Sequence, residues 1–204
     1  KEEWFKSLLH ETLHHYRIGI SENFKISDIF SVNTSHINLD ETYVEFWAET
    51  INNMFIVSLA YNKKNWISKF RQQLFYEYIF STFQVIKYLN QHSLKYENLI
   101  SNTEKITLRE NTNAFSYYVV KMVVMSNSIN YLNNTIPCYD NFLDISRNTN
   151  HILLFEHIIF KNWKNEKILQ CIRILSSNRR LKSSNKNDIL FKTARFSLFE
   201  LDFE

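Results

Sequence analysis

The sequence predicts a single, mainly α-helical domain, and three observations lead to that prediction. The 204 residues include one glycine and one proline, whereas sheet-rich folds use many of both residues in their turns. Hydrophobic residues make up 45% of the chain and aromatic residues 16%, which is enough to bury a core of useful size. Apolar residues also recur at helical spacing along most of the chain. We expect only minor β-structure, near the C-terminus.

The first two helices are predicted by the spacing of apolar residues and by the residues at the helix ends. The chain opens inside a helical pattern that should end near Gly19, because glycine is a favoured helix stop. A second, strongly apolar helix is expected over about 40–60. Asn38 or Asp40 can cap its start, and Glu41 is placed for a capping box with Asn38.

The remainder of the chain contains three more helical patterns. They cover about 65–90, 112–133 and 149–175. We expect the last of them to be interrupted near Trp163. Residues 96–108 are expected to form a loop or a short strand, and residues 189–203 a strand or a packed arm. No linker divides these patterns, so the sequence predicts one domain over 1–204.

Charge and cysteine content restrict the classes of partner. With 24 basic and 21 acidic residues the net charge is +3, which is too small for a dedicated nucleic-acid-binding protein. No apolar run reaches the roughly 18 residues that a membrane span needs, so we expect neither nucleic acid nor membrane as a partner. Cys138 and Cys171 form no metal-binding pair and have no activating pattern nearby. They are compatible with a reducing, intracellular location, and one disulfide remains an alternative.

The run His10-Glu11-Thr12-Leu13-His14 is the clearest chemical signal in the sequence. Histidines four positions apart lie on one helix face, so both imidazoles can reach the same metal ion. Glu11 lies about 100° around the helix from His10. From there it can take a proton from metal-bound water without occupying a coordination position. Zinc suits such a site, whereas the alternative interpretation is an amphipathic helix with solvated polar residues.

The second predicted helix offers carboxylates for the same site. Glu45 and Glu49 are four positions apart and lie among Phe46, Trp47 and Ala48. A carboxylate is rarely buried on so apolar a helix without a partner, because its desolvation is costly. We predict that Glu45 coordinates the ion and that Glu49 accepts the free N–H of a ligand histidine. The alternative is that both residues lie on a solvent-facing stripe.

The H-E-x-x-H helix followed by the E-F-W-A-E helix resembles the gluzincin branch of the zincin metallopeptidases. The E-F-W-A-E motif is similar to that of lethal-factor-like proteases and of zincin-like proteins of large DNA viruses. The resemblance covers only about residues 4–53. It implies a zinc-dependent enzyme that hydrolyses peptide bonds in a peptide or protein substrate. Glu11 would be the general base, and Glu49 would accept a hydrogen bond from a ligand histidine. The zinc ligands that it implies are His10, His14 and Glu45.

Four residues are candidates for stabilising the oxyanion, a role that this group gives to a tyrosine or a histidine. Tyr117 and Tyr118 lie several dozen residues beyond Glu45, a separation found in many gluzincins. His36 and Tyr43 precede Glu45 and are their rivals.

The resemblance also implies a region that lies outside this chain. Zincins place a small sheet before the motif helix, and its edge strand binds the substrate. Here that region would precede Lys1, so we expect the chain to be a zincin-like helical domain whose upstream part is missing. The alternative function is a non-catalytic helical interaction protein, or a degenerate zincin that keeps only the scaffold.

Overall fold

The computed structural model describes residues 3–20, 29–33, 37–61, 64–101, 105–108, 112–136, 149–177 and 195–200. Within these ranges the protein is mainly helical, as predicted, with one small parallel sheet. The α-helices are α1 (Trp4–His15), α2 (Leu39–Ala60), α3 (Trp66–Gln91), α4 (Tyr96–Ile100), α5 (Lys121–Met125), α6 (Ser128–Thr135), α7 (Thr149–Asn162) and α8 (Glu166–Ser177). A π-helical segment covers Ser116–Val120, and the strands are β1 (Val32–Asn33) and β2 (Ile106–Thr107). No helix in the described ranges is both long and apolar enough to cross a lipid bilayer.

Helix α2 lies at the centre of the fold and packs against α1, α3, α5 and the π-helical segment. Its residues Val44, Phe46 and Ala48 are fully buried. A helix that is apolar on all sides has to be covered on all sides. The carboxylates of Glu45 and Glu49 are therefore buried as well, at 2% and 0% exposure, and the alternative of a solvent-facing stripe is wrong.

Several predicted boundaries agree with the structure. The Asn38 side chain accepts the N–H of Asp40 at 2.9 Å, which confirms Asn38 as the cap of α2. Helix α3 follows the pattern predicted for 65–90, and α7 and α8 are separated at Trp163 as expected. Glu41 does not complete the predicted capping box, because its carboxylate turns towards α1.

Other segments differ from the prediction. The pattern at 112–133 contains the π-helical segment, α5 and α6, and a turn between Met125 and Ser128 separates α5 from α6. Residues 96–108 contain both the short helix α4 and the strand β2, which pairs with β1 in parallel. Among the described residues the sheet therefore joins chain regions far from the C-terminus. Of the predicted element 189–203, residues 195–200 form an irregular packed arm, and the rest lies outside the described residues.

Helix α1 ends before Gly19, at a residue with left-handed backbone. Arg17 has a φ of 54°, and the Ile18 N–H donates to the Leu13 carbonyl at 2.9 Å, as in a Schellman motif. Gly19 itself does not have a positive φ, so it is not the residue that stops the helix. Its role is to allow close approach, since a Cβ at this position would collide with the carboxylate of Asp40.

We expect Gly19→Ala to lower the free energy of unfolding by about 1–2 kcal/mol. Asp40 Oδ1 accepts the N–H of buried Ile20 at 2.8 Å, and a methyl group on residue 19 would push that carboxylate away. Chemical denaturation measures the change. In a protein that already carries Asp40→Ala, adding Gly19→Ala should lower the free energy of unfolding only slightly further. If Gly19→Ala alone left the free energy of unfolding unchanged, the explanation would be contradicted.

Candidate metal centre

Helices α1 and α2 bring to one point three side chains of the types that can bind a metal ion. His10 Nε2 lies 3.1 Å from His14 Nε2. Glu41 Oε2 lies 3.5 Å from His10 Nε2 and 3.3 Å from His14 Nε2. Two ligand atoms bound tetrahedrally to zinc at about 2.0–2.1 Å are roughly 3.3 Å apart. The His10–His14–Glu41 cluster therefore has the spacing of three ligands around one ion, and it is the one group of this kind in the described part of the chain.

The structure places Glu41, rather than Glu45, beside the two Nε2 atoms. Glu45 Oε2 lies 3.0 Å from His10 Nδ1, the other nitrogen of that ring. The predicted third ligand, Glu45, contacts Nδ1 of His10 in this geometry, and Glu41 takes the position beside the two Nε2 atoms. Residues four apart share a helix face, so the packing of α1 on α2 decides which of the two carboxylates meets the histidines.

Glu49 was expected to accept the free N–H of a ligand histidine, but it pairs with a lysine instead. Its Oε2 accepts from Lys121 Nζ at 2.6 Å, and both side chains are almost completely buried. Burial raises the pKa of Glu49 to about 8, and the nearby charge of Glu77 adds to it although Lys121 opposes it. Its partner Lys121 places Glu49 deeper in the fold, away from the histidine pair.

Tyr117 completes the cluster from the π-helical segment. Its hydroxyl donates to Glu41 Oε2 at 2.5 Å, and its ring centre lies 6.1 Å from that of His10. Burial and the bond to Glu41 raise the pKa of Tyr117 far above its ordinary value, so the hydroxyl keeps its proton. π-Helical turns often occur at functional sites, and here the turn carries a hydrogen-bond donor to the cluster.

The other candidates for oxyanion stabilisation lie elsewhere. Tyr118 packs against Tyr88 and Phe196. Tyr43 is 2% exposed and lies in the aromatic core, 5.0 Å from the ring centre of Phe155. His36 lies outside the described residues. Among the described candidates, Tyr117 is therefore the one that touches the cluster.

Glu11 lies at the surface, next to the cluster in sequence and outside it in space. Its side chain is exposed, and it does not take part in the His10–His14–Glu41 group. Its charge is the smallest of the contributions that raise the pKa of Tyr117, after burial and the hydrogen bond to Glu41. The exposed carboxylate is accessible to water, and Glu11 follows His10 directly in the chain.

The charges of His10 and Glu41 depend on each other. Burial by itself lowers the pKa of His10, but hydrogen bonds and charges from Glu41 and Glu45 outweigh burial and raise it to about 9. The bond with His10 in turn lowers the pKa of Glu41 to about 2, against the effect of burial. Without a metal, His10 is therefore a cation between two carboxylates. A metal ion that binds there has to displace a proton.

We expect the metal-free protein to lose stability as the pH rises from 6.5 to about 9. The folded-state pKa of His10 lies above its ordinary value of 6.5. The stabilisation from protonated His10 is therefore complete below pH 6.5 and disappears as the pH passes about 9. Urea unfolding at a series of pH values, with a chelator present, measures this. His10→Gln should show a smaller loss over the same interval, and an identical pH profile in both proteins would contradict the explanation.

Two buried lysines lie behind the cluster. Lys6 Nζ donates to Glu45 Oε1 at 2.5 Å, and Lys121 Nζ lies 3.6 Å from the same oxygen. Burial alone would raise the pKa of Glu45, but Lys6, His10 and Lys121 hold it well below its usual range. Glu45 is therefore an anion whose Oε2 can accept a hydrogen bond from His10 Nδ1–H. A carboxylate in this position sets the tautomer and the orientation of a metal-binding histidine.

Sequence reasoning overlooked Glu41 and the two lysines as parts of the site. A signal for Glu41 exists, because Glu41, Glu45 and Glu49 form two overlapping E-x-x-x-E pairs, and only the second pair was interpreted as metal-binding. Lys121 is the one charge in the apolar run from Tyr118 to Met125. A lysine in such a run is rarely buried without a partner, which was a signal for an ion pair.

Comparisons with known proteins give no relative. No protein-family model matches the chain, and neither a curated protein sequence nor a solved structure is significantly similar to it. We therefore infer the function from the motif, from the geometry of the cluster and from its electrostatics.

Proposed function

We propose that this protein is a zinc-dependent metallopeptidase-like hydrolase whose zinc ligands are His10, His14 and Glu41. The observation that carries the proposal is the spacing of the three ligand atoms, 3.1, 3.3 and 3.5 Å. Two imidazole nitrogens and one carboxylate oxygen are a donor set of catalytic zinc sites, which keep a fourth position for water. The hydrogen bond between Glu45 and Nδ1 of His10 adds support, because metal-binding histidines usually donate their second ring N–H to a carboxylate or carbonyl.

The chain's own residues then have separate roles in peptide-bond hydrolysis. Bound zinc would supply a Lewis acid that polarises the scissile carbonyl and acidifies water. Glu11, which is exposed and follows His10 in the chain, takes the proton of the attacking water and passes it to the leaving amine. Tyr117 donates to Glu41 in the structure, and rotation of its hydroxyl lets it donate to the oxyanion instead. Glu45 keeps the proton on His10 Nδ1, so that Nε2 is the ligand atom.

Metal loading and removal test the proposal. We expect the purified protein to bind about one zinc ion per chain with high affinity, to cleave members of a peptide library, and to lose that activity on treatment with a chelator. Adding zinc should restore cleavage. The double variant His10→Ala/His14→Ala is the control that should neither bind zinc nor cleave. A wild-type protein that takes up no stoichiometric zinc would contradict the proposal.

The alternative of a degenerate zincin scaffold makes a different prediction in the same experiment. Such a protein binds zinc at His10, His14 and Glu41 but cleaves no peptide, so the metal has a structural role. Stoichiometric zinc without zinc-dependent cleavage would favour this alternative over the hydrolase.

A further inference from the structure

The segment formed by residues 196–199 is held by a buried carboxylate of α3. Glu77 is 0% exposed. It accepts from the Ser197 hydroxyl at 2.8 Å, from the Leu198 N–H at 2.8 Å and from the Phe199 N–H at 3.0 Å. Burying a carboxylate is costly unless its oxygens receive such donors. The contact is therefore specific, and the segment has one defined position against α3.

A second carboxylate holds the beginning of the same segment. Glu3, at the start of α1, accepts from the Phe196 N–H at 3.1 Å and from the Ser197 N–H at 2.6 Å. Four consecutive backbone N–H groups of the 196–199 segment are thus bound by two carboxylates. Charge-assisted bonds of this kind are about twice as strong as neutral ones, so the segment is firmly attached to α1 and α3.

The attached segment reaches the residues that hold Glu45. The Phe196 carbonyl accepts from Lys121 Nζ at 2.5 Å. Lys6 Nζ lies 4.9 Å from the centre of the Phe196 ring, within cation–π range. The same ring lies 5.2 Å from the ring of Tyr117. Both lysines that neutralise Glu45 are therefore in contact with Phe196.

We propose that the 196–199 segment positions His10 for metal binding, acting through Lys6, Lys121 and Glu45. Contacts run from Phe196 to the two lysines, from the lysines to Glu45 Oε1, and from Glu45 Oε2 to His10 Nδ1. The proposal rests on the proposed function in that His10 is there a zinc ligand. The contacts themselves do not require zinc, so they can be tested separately.

The physical reason for the coupling is the burial of the lysines. Lys121 is 1% exposed, so its ammonium protons have to be satisfied by protein acceptors. Its acceptors are Glu49 and the Phe196 carbonyl, with Glu45 slightly farther away. When the 196–199 segment detaches, Lys121 loses one acceptor and moves towards its remaining carboxylates. Glu45 then moves as well, and with it the ring that it orients.

Glu3→Ala is the substitution that tests this coupling. It removes a carboxylate that binds the segment and leaves the lysines, Glu45 and His10 unchanged. The matched control is Glu166→Ala, which also removes a carboxylate from the start of a helix but from an exposed position paired with Arg173. We expect Glu3→Ala to weaken zinc binding about tenfold, measured by competition with a chromophoric chelator, and the control to bind as the wild type does.

A second readout does not depend on zinc. Nitrogen-15 chemical shifts of the His10 ring, recorded without metal, should change in Glu3→Ala and stay unchanged in Glu166→Ala. Unchanged His10 shifts in Glu3→Ala would overturn the inference whatever the zinc result. A shift change in a protein whose wild type binds no zinc would support the positioning contacts and contradict only the proposed function.

Reciprocity supplies a test on the wild-type protein alone. If the docked segment favours zinc binding, zinc binding has to favour the docked segment by the same factor. We expect the amides of residues 196–199 to exchange with deuterium about tenfold more slowly in the zinc-bound protein, in parallel with the tenfold affinity change. Equal exchange in a protein that binds zinc would overturn the inference.

Discussion

Glu41→Gln is expected to weaken zinc binding by more than roughly 100-fold, because loss of a direct ligand exceeds the 10–100-fold cost of losing an outer hydrogen-bond partner. Glu41 Oε2 is the carboxylate oxygen that lies within 3.5 Å of both Nε2 atoms. Glu45→Gln should weaken binding by about 10–100-fold, since Glu45 orients His10 through Nδ1. Competition with a chelator of known affinity measures all of these variants under one set of conditions.

Glu166→Gln is the matched control for these two substitutions. Glu166 lies at the exposed start of α8, and its carboxylate pairs with Arg173 rather than with a residue of the cluster. We expect its zinc affinity to stay close to that of the wild type. If Glu45→Gln were more damaging than Glu41→Gln, the ligand assignment implied by the family resemblance would be right and the one from the geometry wrong.

Glu11→Gln is expected to lower the rate of peptide hydrolysis by about 10²–10⁴-fold, the contribution typical of a general base. The amide keeps the shape of the side chain but cannot accept the proton of water. Zinc affinity should change little, because Glu11 is exposed and is not part of the His10–His14–Glu41 cluster. Steady-state kinetics on a peptide substrate, together with zinc stoichiometry of the same sample, separates the two effects.

Glu166→Gln serves as the control for Glu11→Gln, since it makes the same change at an exposed position in α8. Its hydrolysis rate should equal that of the wild type. Full activity in Glu11→Gln would contradict the proposed mechanism. A loss of zinc in Glu11→Gln would show instead that this residue helps to hold the metal, which its exposed position does not suggest.

Local sequence patterns predicted the helices because a helix forms from interactions between residues a few positions apart. The spacing of apolar residues located α2 and α3 closely, and the Asn38 cap located the start of α2. The same reasoning placed His10 and His14 on one face, since that relation lies within a single helix. The turn that separates α5 from α6 was not predicted, because the apolar pattern continues through it.

The choice of carboxylate could not be made in this way. Glu41, Glu45 and Glu49 recur at a spacing of four residues on α2, so each satisfies the local requirement for facing α1. A shift of one helical turn, about 5.4 Å, exchanges one carboxylate for the next. The packing of α1 on α2 sets that shift, and it depends on side chains of both helices at once.

The sequence by itself determined the mainly helical fold, the burial of α2 and the pair His10 and His14, because these follow from the periodicity of single segments. The tertiary structure decided which carboxylate joins that pair, which tyrosine reaches it and which lysines stand behind it. Those residues come from α1, α2, α5 and the π-helical segment, and Tyr117 lies 76 residues from Glu41. Contacts of that kind depend on how whole helices pack, and no local pattern in the sequence records their register.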